Sequence, residues 1–198
     1  GQARVVLDLE DLLTLTAALE STHVLHGQPG ELALNLGLVA RSGDESGARV
    51  PVDLALVLDR SGSMEGDKLL FAKQAAQQLI GLLRPGDRAA FISYASDVTV
   101  HTGLLPPGRA NVLGGAIWGI TAEGSTNLDG GLSRAVELLS PEARSGRAQR
   151  VILISDGEAN VGRTTLEDLG PVAAGAAERG VSLTTIGVGL SFNEQLMM

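Results

Sequence analysis

Asp59, Ser61 and Ser63 stand at alternate positions in Asp59-Arg60-Ser61-Gly62-Ser63. One carboxylate and two hydroxyls in a short loop are hard oxygen donors. They suit Mg²⁺ or Mn²⁺ rather than zinc or copper, with Ca²⁺ also open. Two further stretches offer oxygens of the same kind. Ile154-Ser155-Asp156-Gly157 carries a carboxylate at Asp156, and Gly124-Ser125-Thr126-Asn127 carries a hydroxyl at Thr126. Asp59, Ser61, Ser63, Thr126 and Asp156 together could fill most of an octahedral shell and leave one position open. Each string alone is common in turns, because Asp, Ser and Thr also cap helices and stabilise turns. Thr126 can also be read as an N-cap and Asp156 as a turn residue.

The elements that must carry these loops can be read from periodicity. Leu54 to Leu58 is a continuous apolar run, the mark of a parallel strand covered on both faces. Asp59 follows at its carboxyl end, where open α/β sheets bind ligands. Leu69, Ala72, Ala76, Leu79, Ile80 and Leu83 predict a helix over 67–83, stopped by Pro85-Gly86. Residues 89–95 predict a strand. Val98 to His101 follows too closely for a crossover helix, so it predicts an antiparallel edge strand. A weak, glycine-diluted helix is expected over 111–120, with Trp118 packed inward, and a stronger one over 127–139. Residues 151–154 predict a buried strand. Thr164-x-x-Glu167 reads as a capping box for the next helix, with Pro171 restarting it and Gly180 closing it. Residues 181–188 predict the last strand. This alternation predicts an α/β, doubly wound, mostly parallel sheet over 53–198.

Residues 1–52 read differently. Val5 to Leu7, Leu12 to Leu25 and Glu31 to Ala40 show partial alternation, and His26 to Gly30 is a turn signal. An antiparallel β hairpin or meander is expected, an accessory segment joined by the polar stretch Arg41 to Gly47.

Composition narrows the function classes. The chain has 198 residues, no cysteine, and 15 Lys plus Arg against 23 Asp plus Glu, a net charge of −8. Thiolate metal sites and cysteine nucleophiles are excluded. The acidic balance and 3% aromatic content argue against nucleic acid and anionic membrane as partners. No apolar run approaches the ~20 residues of a membrane span.

Asp59-x-Ser61-x-Ser63, Thr126 in Gly-Ser-Thr-Asn, and Ser155-Asp156-Gly157 resemble the metal-ion-dependent adhesion site of the von Willebrand factor type A domain. The run Leu56 to Met64 is similar to bacterial members and to those of the inter-α-trypsin-inhibitor heavy-chain type. The resemblance implies a Rossmann-like domain holding Mg²⁺ at the top of its sheet. It implies direct ligation by the two loop serines and, in the ligand-competent state, by the threonine. The two aspartates would act largely through water. The implied partner is a protein that offers an Asp or Glu carboxylate to the open metal position, in adhesion or assembly, with no enzymatic step. The family's last helix and strand are expected beyond Gly189, and the opening Gly1 without Met is read as a trimmed end.

Three rival readings remain. Gly157 to Thr164 has the spacing of a phosphate-binding loop, with Arg163 in the lysine position and Glu158 as an unfavourable charge. Hydrolysis through Ser61, Ser63 or a metal-bound water would need a base, and the histidines are His23, His26 and His101. A purely structural metal, stapling loops in a scaffold, is the third.

Overall fold

The computed structural model describes residues 4–9, 13–19, 34–40, 49–142, 146–189 and 193–197, the first three stretches as backbone alone. These residues divide into two compact units, Gly1–Arg49 and Val50–Met198.

In the first unit, β1 (Arg4–Leu9), β2 (Leu13–Leu19) and β3 (Leu34–Ala40) form an antiparallel meander in the order β1-β2-β3. The expected extension of the second strand to Leu25, the His26 to Gly30 turn and the Arg41 to Gly47 loop lie outside the described residues.

The second unit runs β4 (Val52–Asp59), α1 (Asp67–Gly81), β5 (Arg88–Tyr94), β6 (Val98–Leu105), α2 (Ala110–Gly119), α3 (Leu128–Leu139), β7 (Ala148–Ser155), α4 (Leu166–Glu178), β8 (Val181–Gly187) and α5 (Glu194–Met197). Its sheet has the order β6-β5-β4-β7-β8. β4 pairs in parallel with both β5 and β7, and β7 with β8, while β6 is the antiparallel edge. The chain moves outward from β4 on one side, then crosses to β7 on the other. The switch point therefore falls between the carboxyl ends of β4 and β7, where a crevice opens.

β4 explains why the sheet is covered on both faces. Side chains alternate along a strand. Leu54, Leu56 and Leu58 pack with Leu69, Ala72, Ala76 and Ile80 of α1 and Leu113 and Ile117 of α2. Ala55 and Val57 pack on the other face with Leu128, Leu132, Ala135 and Val136 of α3 and Leu169 of α4. Burial of each large apolar side chain contributes roughly 1.5–3 kcal/mol. Both layers hold the loop that follows β4 in place.

Three local expectations are corrected. The α4 cap is Thr165, not Thr164: its side chain accepts from the Asp168 amide, because the helix starts one residue later. Pro171 lies inside α4 rather than opening a new helix. Its missing N–H faces the Glu167 carbonyl, in an exposed first turn that water can reach. Trp118 is 48% exposed rather than packed inward, with the Lys73 ammonium 5.9 Å from its ring centre.

Candidate metal centre

β4 delivers Asp59 to the top of the sheet, and a tight helical turn over Gly62–Met64 follows. Met64 is fully buried in the α1-side core and anchors that turn. Asp59 is also fully buried. Its Oδ1 accepts from the Ser61 amide at 2.9 Å. Its Oδ2 accepts from the Ser155 hydroxyl at 2.6 Å and the Tyr94 hydroxyl at 3.3 Å. The carboxylate is thus tied to three strand ends, those of β4, β5 and β7. Burial pushes its pKa up, the Ser155 and Ser61 hydrogen bonds pull against that, and the Asp156 charge adds to it. Burial, with the Asp59 charge beside it, holds the Tyr94 phenol well above its ordinary range.

The loop between α2 and α3 is fastened to this turn through its backbone. The Gly62 amide donates to the Gly124 carbonyl at 3.0 Å, and the Glu123 amide to the Arg60 carbonyl at 2.8 Å. Thr126 is buried, and its amide donates to Asn160 Oδ1 at 2.7 Å. Its carbonyl accepts from the Asn160 and Val161 amides at 3.1 and 3.2 Å. The α3 cap is Asn127, whose side chain accepts from Gly130, so capping does not account for Thr126.

The third loop follows β7. Asp156 is fully buried; its Oδ1 accepts from the Glu158 amide at 3.2 Å and its Oδ2 from Lys68 Nζ at 2.9 Å. That contact, together with Asp156 and Glu158 as neighbouring charges, holds the lysine pKa above its ordinary value against partial burial.

The structure therefore brings Asp59, Ser61, Ser63 and Asp156 to the crevice, ties Thr126 to the loop after β7, and fastens the loop that carries Thr126 to the Gly62 turn through Gly124 and Glu123. It adds Ser155, Tyr94, Lys68 and Asn160, which no spacing rule singled out. Ser155 adjoins the matched aspartate. Lys68 lies in the first turn of α1, where a lysine ordinarily reads as a solvated face.

The donor set fits a small hard cation. Ser61 Oγ and Ser63 Oγ stand 3.1 Å apart. Adjacent oxygens of an octahedron with bonds of about 2.1 Å stand about 3.0 Å apart, the Mg²⁺ geometry. Among the described residues no group of three or more His, Asp or Glu side chains could hold a metal. Three of the five candidate ligands, Ser61, Ser63 and Thr126, are hydroxyls.

The rival readings meet different geometry. α4 begins at Leu166, beyond the Gly157 to Thr164 string, and Arg163 pairs with Asp129 at 2.7 Å. A phosphate loop needs its helix to open at that string. His101 lies on β6, with Nε2 2.7 Å from Ser93 Oγ and its ring stacked on Phe91, and it shares a surface cleft with Arg60 of the serine loop. His23 and His26 lie outside the described residues.

No helix of the described residues is long and apolar enough to cross a membrane. The family model of the von Willebrand factor type A domain matches residues 53–198. YfbK, an uncharacterized protein of Escherichia coli (strain K12), is 32% identical over 148 residues, covering 74% of this chain and 26% of its own length. Inter-alpha-trypsin inhibitor heavy chain H1 of Mesocricetus auratus is 36% identical over 121 residues, covering 57% of this chain and 13% of its own length. The chain thus spans about a quarter or less of these relatives. Proximal thread matrix protein 1 from the mussel byssus, in a structure with a zinc-occupied MIDAS motif, superposes with TM-score 0.64 at 24% identity, over 75% of this chain and 38% of its own. The chain belongs to the von Willebrand factor type A domain family, a family of metal-dependent protein-interaction modules.

Proposed function

We propose that residues 53–198 form a module that holds a divalent cation at Asp59, Ser61, Ser63, Thr126 and Asp156 and uses it to capture a carboxylate of a partner protein. Residues 1–52 are its accessory β segment. The observation that carries this reading is the 3.1 Å spacing of the two serine hydroxyls beside two fully buried carboxylates. Hydroxyl and carboxylate oxygens of this kind suit Mg²⁺ or Mn²⁺. A cation bound there supplies positive charge and an open position for an anionic oxygen.

The chain's own residues set the rest. Asp59 already accepts three hydrogen bonds, so its role is to orient water and the Ser61 backbone rather than to ligate directly. Asp156, engaged by Lys68 and the Glu158 amide, does the same from the other side. Neutral hydroxyls as the direct donors quench the cation's charge less than directly bound carboxylates would. Thr126 joins the site through a loop whose position follows α3, which makes it the adjustable ligand. Beside the site a cleft of ≈ 200 Å³ is lined by Arg60, Ser96, Asp97, Glu123 and Gly124, with Arg60 and Glu123 paired across it. Arg60 and the exposed Glu65 tune which partner is accepted.

Calorimetric titration of Mg²⁺ and Mn²⁺ into chelator-stripped protein tests this, beside Asp59→Ala and Ser61→Ala. Saturable binding lost in both variants is expected. Absence of binding in the unaltered chain overturns the reading. Metal binding that leaves capture of every carboxylate-bearing partner unchanged assigns the metal a structural role instead.

A further inference from the structure

Lys68 is placed against its own helix. It occupies the first turn of α1, Asp67–Gly81, where the helix dipole disfavours a cation. The lysine is nonetheless held inward. Its Nζ lies 2.9 Å from Asp156 Oδ2 and 3.9 Å from Glu158 Oε1, and the side chain is 25% exposed. Its stem runs over Gly189, where a Cβ would come within 3.0 Å of Lys68 Cε and where φ is +97°. A side chain there would press on the lysine. Three segments therefore converge to keep one ammonium on a buried carboxylate of the metal site.

From this arrangement we propose that Lys68 is a built-in counter-cation that sets the charge of the site, weakening its hold on the metal and strengthening the hold of the metal-loaded site on an anionic ligand. The inference rests on the metal-dependent reading above. The charge count carries it. A divalent cation facing Asp59 and Asp156 alone has its two charges matched by two carboxylates, which leaves little net attraction for a third. Lys68 cancels Asp156, so the loaded site keeps about one positive charge, and an incoming carboxylate meets it. Glu158 is 51% exposed on its side chain and screened by water, so it offsets the lysine only in part. The same ammonium repels the metal, and its hydrogen bond withholds Asp156 Oδ2 from the shell. Both effects lower metal affinity. Lys68 acts through Asp156 and is a positioning and specificity residue, not a ligand.

The two consequences have opposite signs, which separates them from simple damage to the loop. Mn²⁺ titration followed by water-proton relaxation reads metal affinity. Acetate added to the Mn²⁺-loaded protein then reads carboxylate affinity by displacing bound water. In Lys68→Met, Mn²⁺ binding tightens on the order of tenfold and acetate binding weakens several-fold. Lys68→Arg keeps both near the unaltered values. Glu158→Gln shifts both the other way and by less, and it tests the same idea should Lys68→Met fail to fold. If both affinities fall in Lys68→Met, or neither moves, the proposal is overturned. If the unaltered protein binds no Mn²⁺, the metal-site reading fails first, which is a separate and recognisable outcome.

Discussion

The Ser155 hydroxyl donates to Asp59 Oδ2 at 2.6 Å and accepts from the Gly157 amide at 2.9 Å, linking the carboxyl ends of β7 and β4 across the switch point. Both side chains are fully buried. Ser155→Ala removes a donor from a buried carboxylate and an acceptor from a buried amide. Each loss leaves a polar group without its partner, so about 1–3 kcal/mol of stability is lost. Metal affinity falls as well, because Asp59 loses a restraint on its orientation. Urea unfolding and metal titration of the variant measure the two effects. An unchanged metal affinity would show that Asp59 is oriented without Ser155.

Tyr94 adds a second restraint on Asp59, and its position depends on a glycine. A Cβ at Gly131 of α3 would come within 2.6 Å of Tyr94 Cδ1. Alanine is favoured over glycine inside a helix by roughly 1 kcal/mol. The Tyr94 ring is fully buried and has no room to yield, so overpacking of about 1–3 kcal/mol prevails. Gly131→Ala should lower thermal stability and move the Tyr94 hydroxyl off Asp59, weakening metal binding. Gly115→Ala on α2, where a Cβ meets nothing within 4 Å, is the control and should be neutral or stabilising. Thermal melts of the two variants side by side check the sign.

The legible and illegible parts of this chain divide on physical lines. The apolar run Leu54 to Leu58 announces a doubly covered central strand, and the short gap before Val98 announces an antiparallel edge; the structure agrees with both. These signals are periodic and span several residues. Thr164 and Thr165 both offer a hydroxyl three residues before a carboxylate, so capping chemistry alone could not choose between them. Trp118 sits among glycines that define no buried stripe, so its exposure could not be read. Lys68 and Asn160 act across 88 and 34 residues of sequence, and such pairings leave no local trace.

At the opposite end of the sheet, Asp53 ties three strands together and predicts an acid response. Arg88 grips it with two bonds of 2.8 and 2.7 Å, and Arg147 Nε adds a third at 2.8 Å. Burial works to raise its pKa, but the Arg88 and Arg147 hydrogen bonds outweigh burial and hold it below the ordinary value. A carboxylate depressed in the folded state stabilises it fully above the unfolded value of about 3.9 and loses that contribution as pH falls through the folded value. Asp53→Asn should cost about 2 kcal/mol near neutral pH and flatten the acid limb of the stability curve. Denaturant midpoints measured from pH 6 down to pH 2 check this. Parallel acid limbs in the two proteins would place the proton uptake elsewhere.

Asn160 separates positioning of Thr126 from stability of the fold. Its side chain accepts from the Thr126 amide at 2.7 Å, and its own amide donates to the Thr126 carbonyl at 3.1 Å. Asn160→Ala abolishes the first bond and keeps the second. Asn160 is exposed, so water enters the space its side chain leaves, reaches the Thr126 amide and replaces the lost acceptor, and stability changes by less than about 1 kcal/mol. Thr126 is then held by its carbonyl alone, and its loop samples more positions. Metal affinity should fall several-fold while the melting temperature barely moves. Asn160→Asp retains an oxygen acceptor at the same point and should restore the affinity. Loss of affinity in both variants would mean that the amide nitrogen of Asn160, rather than its grip on Thr126, matters at the site. No loss in either would mean that the backbone bonds of the Gly62 turn position Thr126 unaided.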